Sequence, residues 1–197
     1  MKLYPILFEK LELIDWSEYC DLVTKAYEDA PENDPEAQAS YAALRDAVKK
    51  FFNLIESKVK VEFVDGDPYT SSEQMQKEVA KTKVMKVMKD FSSHPFFSEE
   101  ENWQFRAVHD WFSHILSHQP FTRKGEIQAY NTHVKMMPAA ALPALFTEII
   151  GQVCYQTSKG SFPVQKVAIL KGFDYKNIGR VEGYQIEKKK LVKDKTQ

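Results

Sequence analysis

A chain of 197 residues, 43 % of them hydrophobic, is long enough to bury a core of its own. Its net charge of −1, from 27 basic and 28 acidic residues well mixed along the chain, leaves no basic face for a dedicated nucleic-acid binder. No apolar run approaches the roughly 20 residues that cross a bilayer, so no membrane association is expected.

The opening MKLYPILFEKLEL lacks a long apolar stretch and soon turns acidic, which makes it a poor signal peptide. Cys20 and Cys154 match neither a zinc nor a redox spacing and read as half-buried thiols in a reducing compartment. The expectation is one soluble domain over residues 1–197, made in the cytoplasm. It divides into a helical part (1–57), a core (58–175) and a lysine-rich tail (185–197).

Asp15 or Ser17 caps a first helix carrying Tyr19, Leu22, Val23 and Ala26 at three-and-four spacing. APENDPEA (30–37) is a turn. A longer helix follows, with Tyr41, Leu44, Val48, Phe51, Phe52 and Ile55 as a core-facing stripe that carries no chemistry. Val59, Val61 and Phe63 alternate with charged residues as in a half-buried strand, ended by the turn Asp65-Gly66-Asp67-Pro68. Those aspartates lack the twelve-residue calcium-loop pattern. Ser71 or Ser72 caps a short helix through Met75 and Val79. The segment KVMKVMK (83–89) is then placed to pair with residues 59–64. The fold class is therefore mainly α (α+β): a buried multi-helix core with a small two- or three-stranded sheet.

The stretch Ser98–Gln152 holds His109, His114, His118 and His133, with His94 just before it. Ser98 and Glu101 form a capping box that starts a helix at Glu99. Trp103, Phe105, Val108, Trp111, Phe112 and Ile115 make that helix apolar around most of its girth, so its histidines sit where each needs a partner. A lone buried histidine usually donates to a backbone carbonyl. Two on one helix, with a third on the next, favour a functional site. His114 and His118 share a face, but no glutamate follows His114 as a zincin pair requires. Gln119-Pro120 ends the helix and leaves His118 near solvent. Gly125-Glu126 opens a second helix, on which Glu126 and His133 lie two turns apart on one face. Pro138 and Pro143 restart the chain into a third, where Glu148 and Gln152 edge a stripe of Leu142, Phe146, Ile149, Ile150 and Val153. A glutamate there must be paired or metal-bound. Gly151 permits a close approach. The segment VQKVAIL (164–170) is a short strand or helix packed on the core, and the tail is solvated and frayed.

HDWFSH followed by FTEIIGQ resembles the iron-site pattern of the aromatic amino acid hydroxylases, with Ser113 where that family has glycine. The resemblance implies His109, His114 and Glu148 as a two-histidine, one-carboxylate triad holding Fe(II) or Zn(II). Glu126, His133 and Gln152 then surround it as an acid–base set. A longer succession, DPY, HPFFSEEEN-x-x-FRAVHD, GE-x-x-A, Glu-x-x-Gly-Gln and FP-x-QKVA, is similar to uncharacterised tailed-bacteriophage proteins. It implies a phage origin, in the cytoplasm of an infected bacterium or in the virion. Two functions follow as expectations. One is a phage-encoded mononuclear metal enzyme, an iron oxygenase or a zinc hydrolase, acting on a small-molecule or protein partner that the sequence does not name. The other is a non-enzymatic virion or host-interaction protein whose His/Glu cluster is structural.

Overall fold

The computed structural model describes residues 15–187 and 190–193, the side chains of 187 and 192 excepted. The fold is mainly helical with two small sheets of two strands each. The first fourteen residues, with their signal-peptide reading, lie outside the described residues, as do 188–189 and 194–197.

Asp15 caps α1 (Trp16–Asp29) by accepting the Ser17 amide. After a short 3₁₀ turn, Pro35–Ala37, α2 (Gln38–Glu56) buries Tyr41, Leu44, Val48, Phe52 and Ile55 along one side. The first sheet pairs β1 (Lys60–Val64) with β2 (Val84–Met88), from Lys60 opposite Val84 to Val64 opposite Met88. It is parallel because α3 (Ser72–Thr82, capped by Ser71) returns the chain to the same end before the second strand begins. The Ser98–Glu101 capping box starts α4 (Glu99–His109), which continues as a π-helical turn, Asp110–Leu116. Thr122 caps α5 (Arg123–Val134). A further 3₁₀ turn, Ala139–Ala141, leads into α6 (Leu142–Phe146), which also runs into a π-helical turn, Thr147–Gly151, and then into α7 (Gln152–Lys159). Helix α5 packs against both π turns.

One continuous apolar core runs from Tyr19 to Leu191, with Leu44, Ile55, Phe146 and Ile150 among its fully buried members. Gly151 sits within it because a β-carbon there would stand 3.0 Å from the Tyr27 ring and 3.1 Å from Leu170.

Three expectations change. Residues 164–170 form neither strand nor helix but an extended segment held to residues 32–34: Asp34 N donates to the Val167 carbonyl and Val167 N to that of Glu32. Four of its other carbonyls are met by side chains. Tyr27 donates to Val164 and Thr147 to Ala168, which is how irregular backbone is buried without orphaned polar groups. Second, the tail is not simply frayed, since β3 (Tyr184–Glu187) and β4 (Lys190–Lys193) form an antiparallel hairpin. Its Leu191 enters the core and donates its amide to Glu18. Third, Cys20 and Cys154 are not free thiols. Both are buried, and they form a disulfide joining α1 to α7 across 134 residues of sequence. Spacing along the chain says nothing about such a pair, so the inference of a reducing compartment drawn from it falls. No helix among the described residues is long and apolar enough to cross a membrane.

Closing a loop of that length removes chain entropy worth about 5 kcal/mol from the unfolded ensemble. Reduction, or Cys20→Ser with Cys154→Ser, is expected to lower the thermal midpoint well beyond a surface-mutation effect. Calorimetry with and without reductant reads it directly, and an unchanged midpoint contradicts a structural role for the bond.

Candidate metal centre

His109 and His114 are five residues apart, which on an α-helix separates them by roughly 140°. The π turn removes that separation. A turn closed by i→i+5 bonds holds one residue more, so the fifth residue comes round to nearly the same face. The two Nε2 atoms stand 3.1 Å apart. Glu126, in the first turn of α5, reaches both: Oε2 lies 3.0 Å from His109 Nε2 and Oε1 lies 3.4 Å from His114 Nε2. Among the described residues, these three side chains are the group whose donor atoms converge within metal-ligand range. A divalent ion about 2.1 Å from each donor sets donor–donor separations of about 3.0 Å at octahedral and about 3.4 Å at tetrahedral angles. The 3.1 Å between the histidine nitrogens falls in that span, as do the contacts each of them makes to one of the two Glu126 oxygens.

The position of Glu126 depends on Gly125. A β-carbon at that residue would lie 1.9 Å from the Pro120 carbonyl oxygen, so only glycine lets α5 start against the end of the preceding turn.

Tautomers decide which histidines can bind a cation. His114 Nδ1 donates to the Gln119 carbonyl at 2.8 Å, so its Nε2 carries a bare lone pair aimed at Glu126 and His109. His94 is the reverse. Its Nδ1 accepts the backbone N–H groups of Phe96 and Phe97 at 3.0 and 3.1 Å, which puts the proton on Nε2 and makes it a donor to Glu148 Oε1 at 3.2 Å. With Nδ1 taken by two backbone amides and the proton held on Nε2, neither His94 nitrogen is free for a metal.

The side chains gathered here differ from the triad implied by the sequence resemblance. Glu126, not Glu148, completes the set with His109 and His114. The Glu148 carboxylate is engaged elsewhere. Oε1 takes His94 and Tyr41 Oη (2.6 Å), and Oε2 accepts Gln152 Nε2 at 2.8 Å. Tyr41 Oη also stands 2.9 Å from the Lys166 carbonyl, its one proton shared between two acceptors. The stripe of α2 therefore carries a polar contact to the cleft as well as packing. Tyr41 and His94 escaped the sequence reading because an apolar-stripe tyrosine and an isolated histidine give no local signal. Gln152 faces the same cleft and bonds Gln165 as well as Glu148. His133 does not line the cleft. It is fully buried, its ring stacked on that of His109 (centroids 5.4 Å apart), with Nε2 against Ser113 Oγ at 3.0 Å. Ser113 thus anchors His133, and His133 backs His109. His118 is exposed, as expected, and holds Gln76.

Electrostatics follow from this packing. Burial pushes the His109 pKa down, but the charge and hydrogen bond of Glu126, aided by Asp110, outweigh it and hold the pKa above the usual imidazole value. Burial pushes Glu126 up, and the two histidines bring it below the usual carboxylate range. Burial, then His109, take His114 down to about 4. Burial with the same two histidines holds His133 far below normal, hence neutral. Asp110, half-buried beside His109 and lining the cleft, is pushed up to about 7, first by burial and then by Glu126, against the opposing His109 charge.

The cleft has a volume of about 1380 Å³ and reaches both the triad and the Glu148 network. At its edge Arg106 donates to the carbonyls of Met88, Asp90 and Phe91, fixing a loop in which Phe91 has φ +55° and lies 86 % exposed.

Gly125→Ala is expected to cost about 2 kcal/mol or more, as overpacking against backbone does, and to displace Glu126. Denaturant unfolding together with metal titration checks both parts, and a variant with wild-type values in each contradicts the tight-approach argument. For Asp110, the folded pKa near 7 lies above the unfolded value of 3.8, so its ionisation opposes folding as pH rises between them. Metal-free Asp110→Asn should therefore gain stability relative to wild type from pH 4 to pH 8, which parallel thermal melts would show. No protein family profile, curated protein or solved structure matches this chain, so its function is argued from this geometry.

Proposed function

We propose that this chain is a metal-dependent enzyme in which His109, His114 and Glu126 hold one divalent ion, with the remaining coordination positions open to the cleft. The observation that carries the reading is the convergence of two Nε2 atoms 3.1 Å apart with the Glu126 carboxylate, one oxygen 3.0 Å from His109 and the other 3.4 Å from His114, whose Nε2 is left bare by its own backbone bond. Two histidines and a carboxylate are the donor set of non-haem iron oxygenases and of zinc hydrolases. Iron would supply oxidation by dioxygen, and zinc would supply hydrolysis. The chain's own residues orient the ligands. Gln119 fixes the His114 tautomer, and His133 and Ser113 back the His109 ring. The motif succession similar to tailed-phage proteins supports a phage origin, with the infected cell or the virion as the place of action.

A second reading has its own support. His109 and Glu126 already satisfy each other as an ion pair, which a purely structural network in a non-enzymatic protein would also do.

Metal content decides between them. Protein prepared without a histidine tag and loaded with Zn(II) or anaerobic Fe(II) is expected to hold one equivalent after gel filtration. His109→Ala, His114→Ala and Glu126→Ala should each lose it, since three protein ligands leave no redundancy. His94→Ala, Glu148→Ala and His118→Ala should keep it. Retention by all three ligand variants favours the structural network, and loss in Glu148→Ala alone would restore the other triad. Chelation should leave the helical signal intact, because the apolar core rather than the ion holds the fold.

A further inference from the structure

The second polar cluster of the cleft does not hold the metal, and its chemistry asks for something else. Glu148 is a carboxylate with a side chain only 5 % exposed. Its three hydrogen-bond donors are a phenol, a neutral imidazole and an amide. Among the described residues no lysine or arginine stands within ion-pair distance of it. A buried carboxylate without a countercharge is costly, and three donors leave one of its roughly four lone-pair positions unused.

The surroundings point the same way. Five carboxylates (Glu32, Asp67, Asp110, Glu126 and Glu148) line the cleft against two guanidiniums, Arg106 and Arg123, and the His109 ring that pairs with Glu126. Arg106 is turned away into the carbonyls of the 88–91 loop. Such a balance repels anionic ligands and concentrates cations. The mouth, by contrast, is apolar. Phe91 is 86 %, Phe162 62 % and Val164 78 % exposed, the first on one loop and the other two on a second loop across the opening, with Ile149 and Val153 also lining the cleft. Isolated exposed phenylalanines need no explanation, but several around one cleft mark a surface that meets an apolar ligand. Aromatic faces near carboxylates also hold ammonium groups through their ring quadrupole.

We infer that the cleft binds a ligand with a cationic head, an ammonium or guanidinium, on an apolar stem: the head on Glu148 beside Gln152, the stem against Phe91 and Phe162. This deepens the proposed function by naming the ligand class. It depends on that reading only for what happens to the ligand afterwards, because the head group is recognised by Glu148 and not by the triad.

The test uses three probes that share a stem and differ in the head: n-hexylamine, 1-hexanol and hexanoate, titrated calorimetrically into metal-free wild-type protein near pH 7. The amine should bind at least tenfold more tightly than the alcohol, and hexanoate more weakly than either. Glu148→Gln, with its fold checked by thermal melting, should bring amine and alcohol to within a factor of two. Phe91→Ala, exposed and outside the core, should weaken amine and alcohol alike. His118→Ala, exposed and outside the cleft, should leave amine binding unchanged, and because the protein is metal-free throughout, failure here is separate from failure of the metal site. The wild-type series stands without any variant. No saturable amine binding at millimolar concentration, a preference for hexanoate, or an amine preference that survives Glu148→Gln overturns the proposal.

Discussion

The candidate centre depends on one departure from α-helical geometry. In a regular helix His109 and His114 would point to different sides, and no third residue on another element would reach both. The i→i+5 turn at Asp110–Leu116 brings them to one face. It also leaves the Gln119 carbonyl where His114 Nδ1 can donate to it. One backbone irregularity therefore fixes position and tautomer together. Widened turns of this kind cost hydrogen-bond quality, and proteins keep them mostly where a side chain must be re-aimed.

The second π turn, Thr147–Gly151, carries Glu148, so each of the two polar clusters in the cleft rests on a widened turn, with α5 packed against both. The clusters differ in what their backbones do to a histidine. A carbonyl receiving from His114 Nδ1 exposes a lone pair at Nε2. Two amides donating to His94 Nδ1 place a proton at Nε2. The first arrangement suits a cation and the second suits a carboxylate. The cleft thus holds two different clusters: His109, His114 and Glu126, which could hold a metal ion, and a braced carboxylate at Glu148.

Burial gives both clusters their force. The His109–Glu126 pair keeps its charge in a region that otherwise favours neutral groups, while His114 and His133 are held neutral and Asp110 titrates near neutrality. The frame around them is stiff for identifiable reasons: a disulfide between α1 and α7, hydroxyl groups meeting the carbonyls of the 164–168 segment, and a glycine that lets α5 close on Pro120.

The sequence by itself determined what acts over short range. The Asp15 cap, the Ser98 capping box, the strand alternations and the apolar stripes each depend on neighbours within a turn or two, and they place the elements where the structure has them. The histidine-rich stretch was legible as the place to look for the same reason, and alternation marked β1 and β2 as strands, while their parallel pairing rests on α3 between them. Tertiary structure alone decided which carboxylate joins the histidines. Glu126 and Glu148 both line the cleft that His109 faces. The choice turns on how far α5 is rotated and how closely it approaches, which Gly125 against Pro120 sets across space. The roles of Tyr41 and His94, and the joining of Cys20 to Cys154, also rest on contacts between residues 54 to 134 positions apart, where no spacing rule applies.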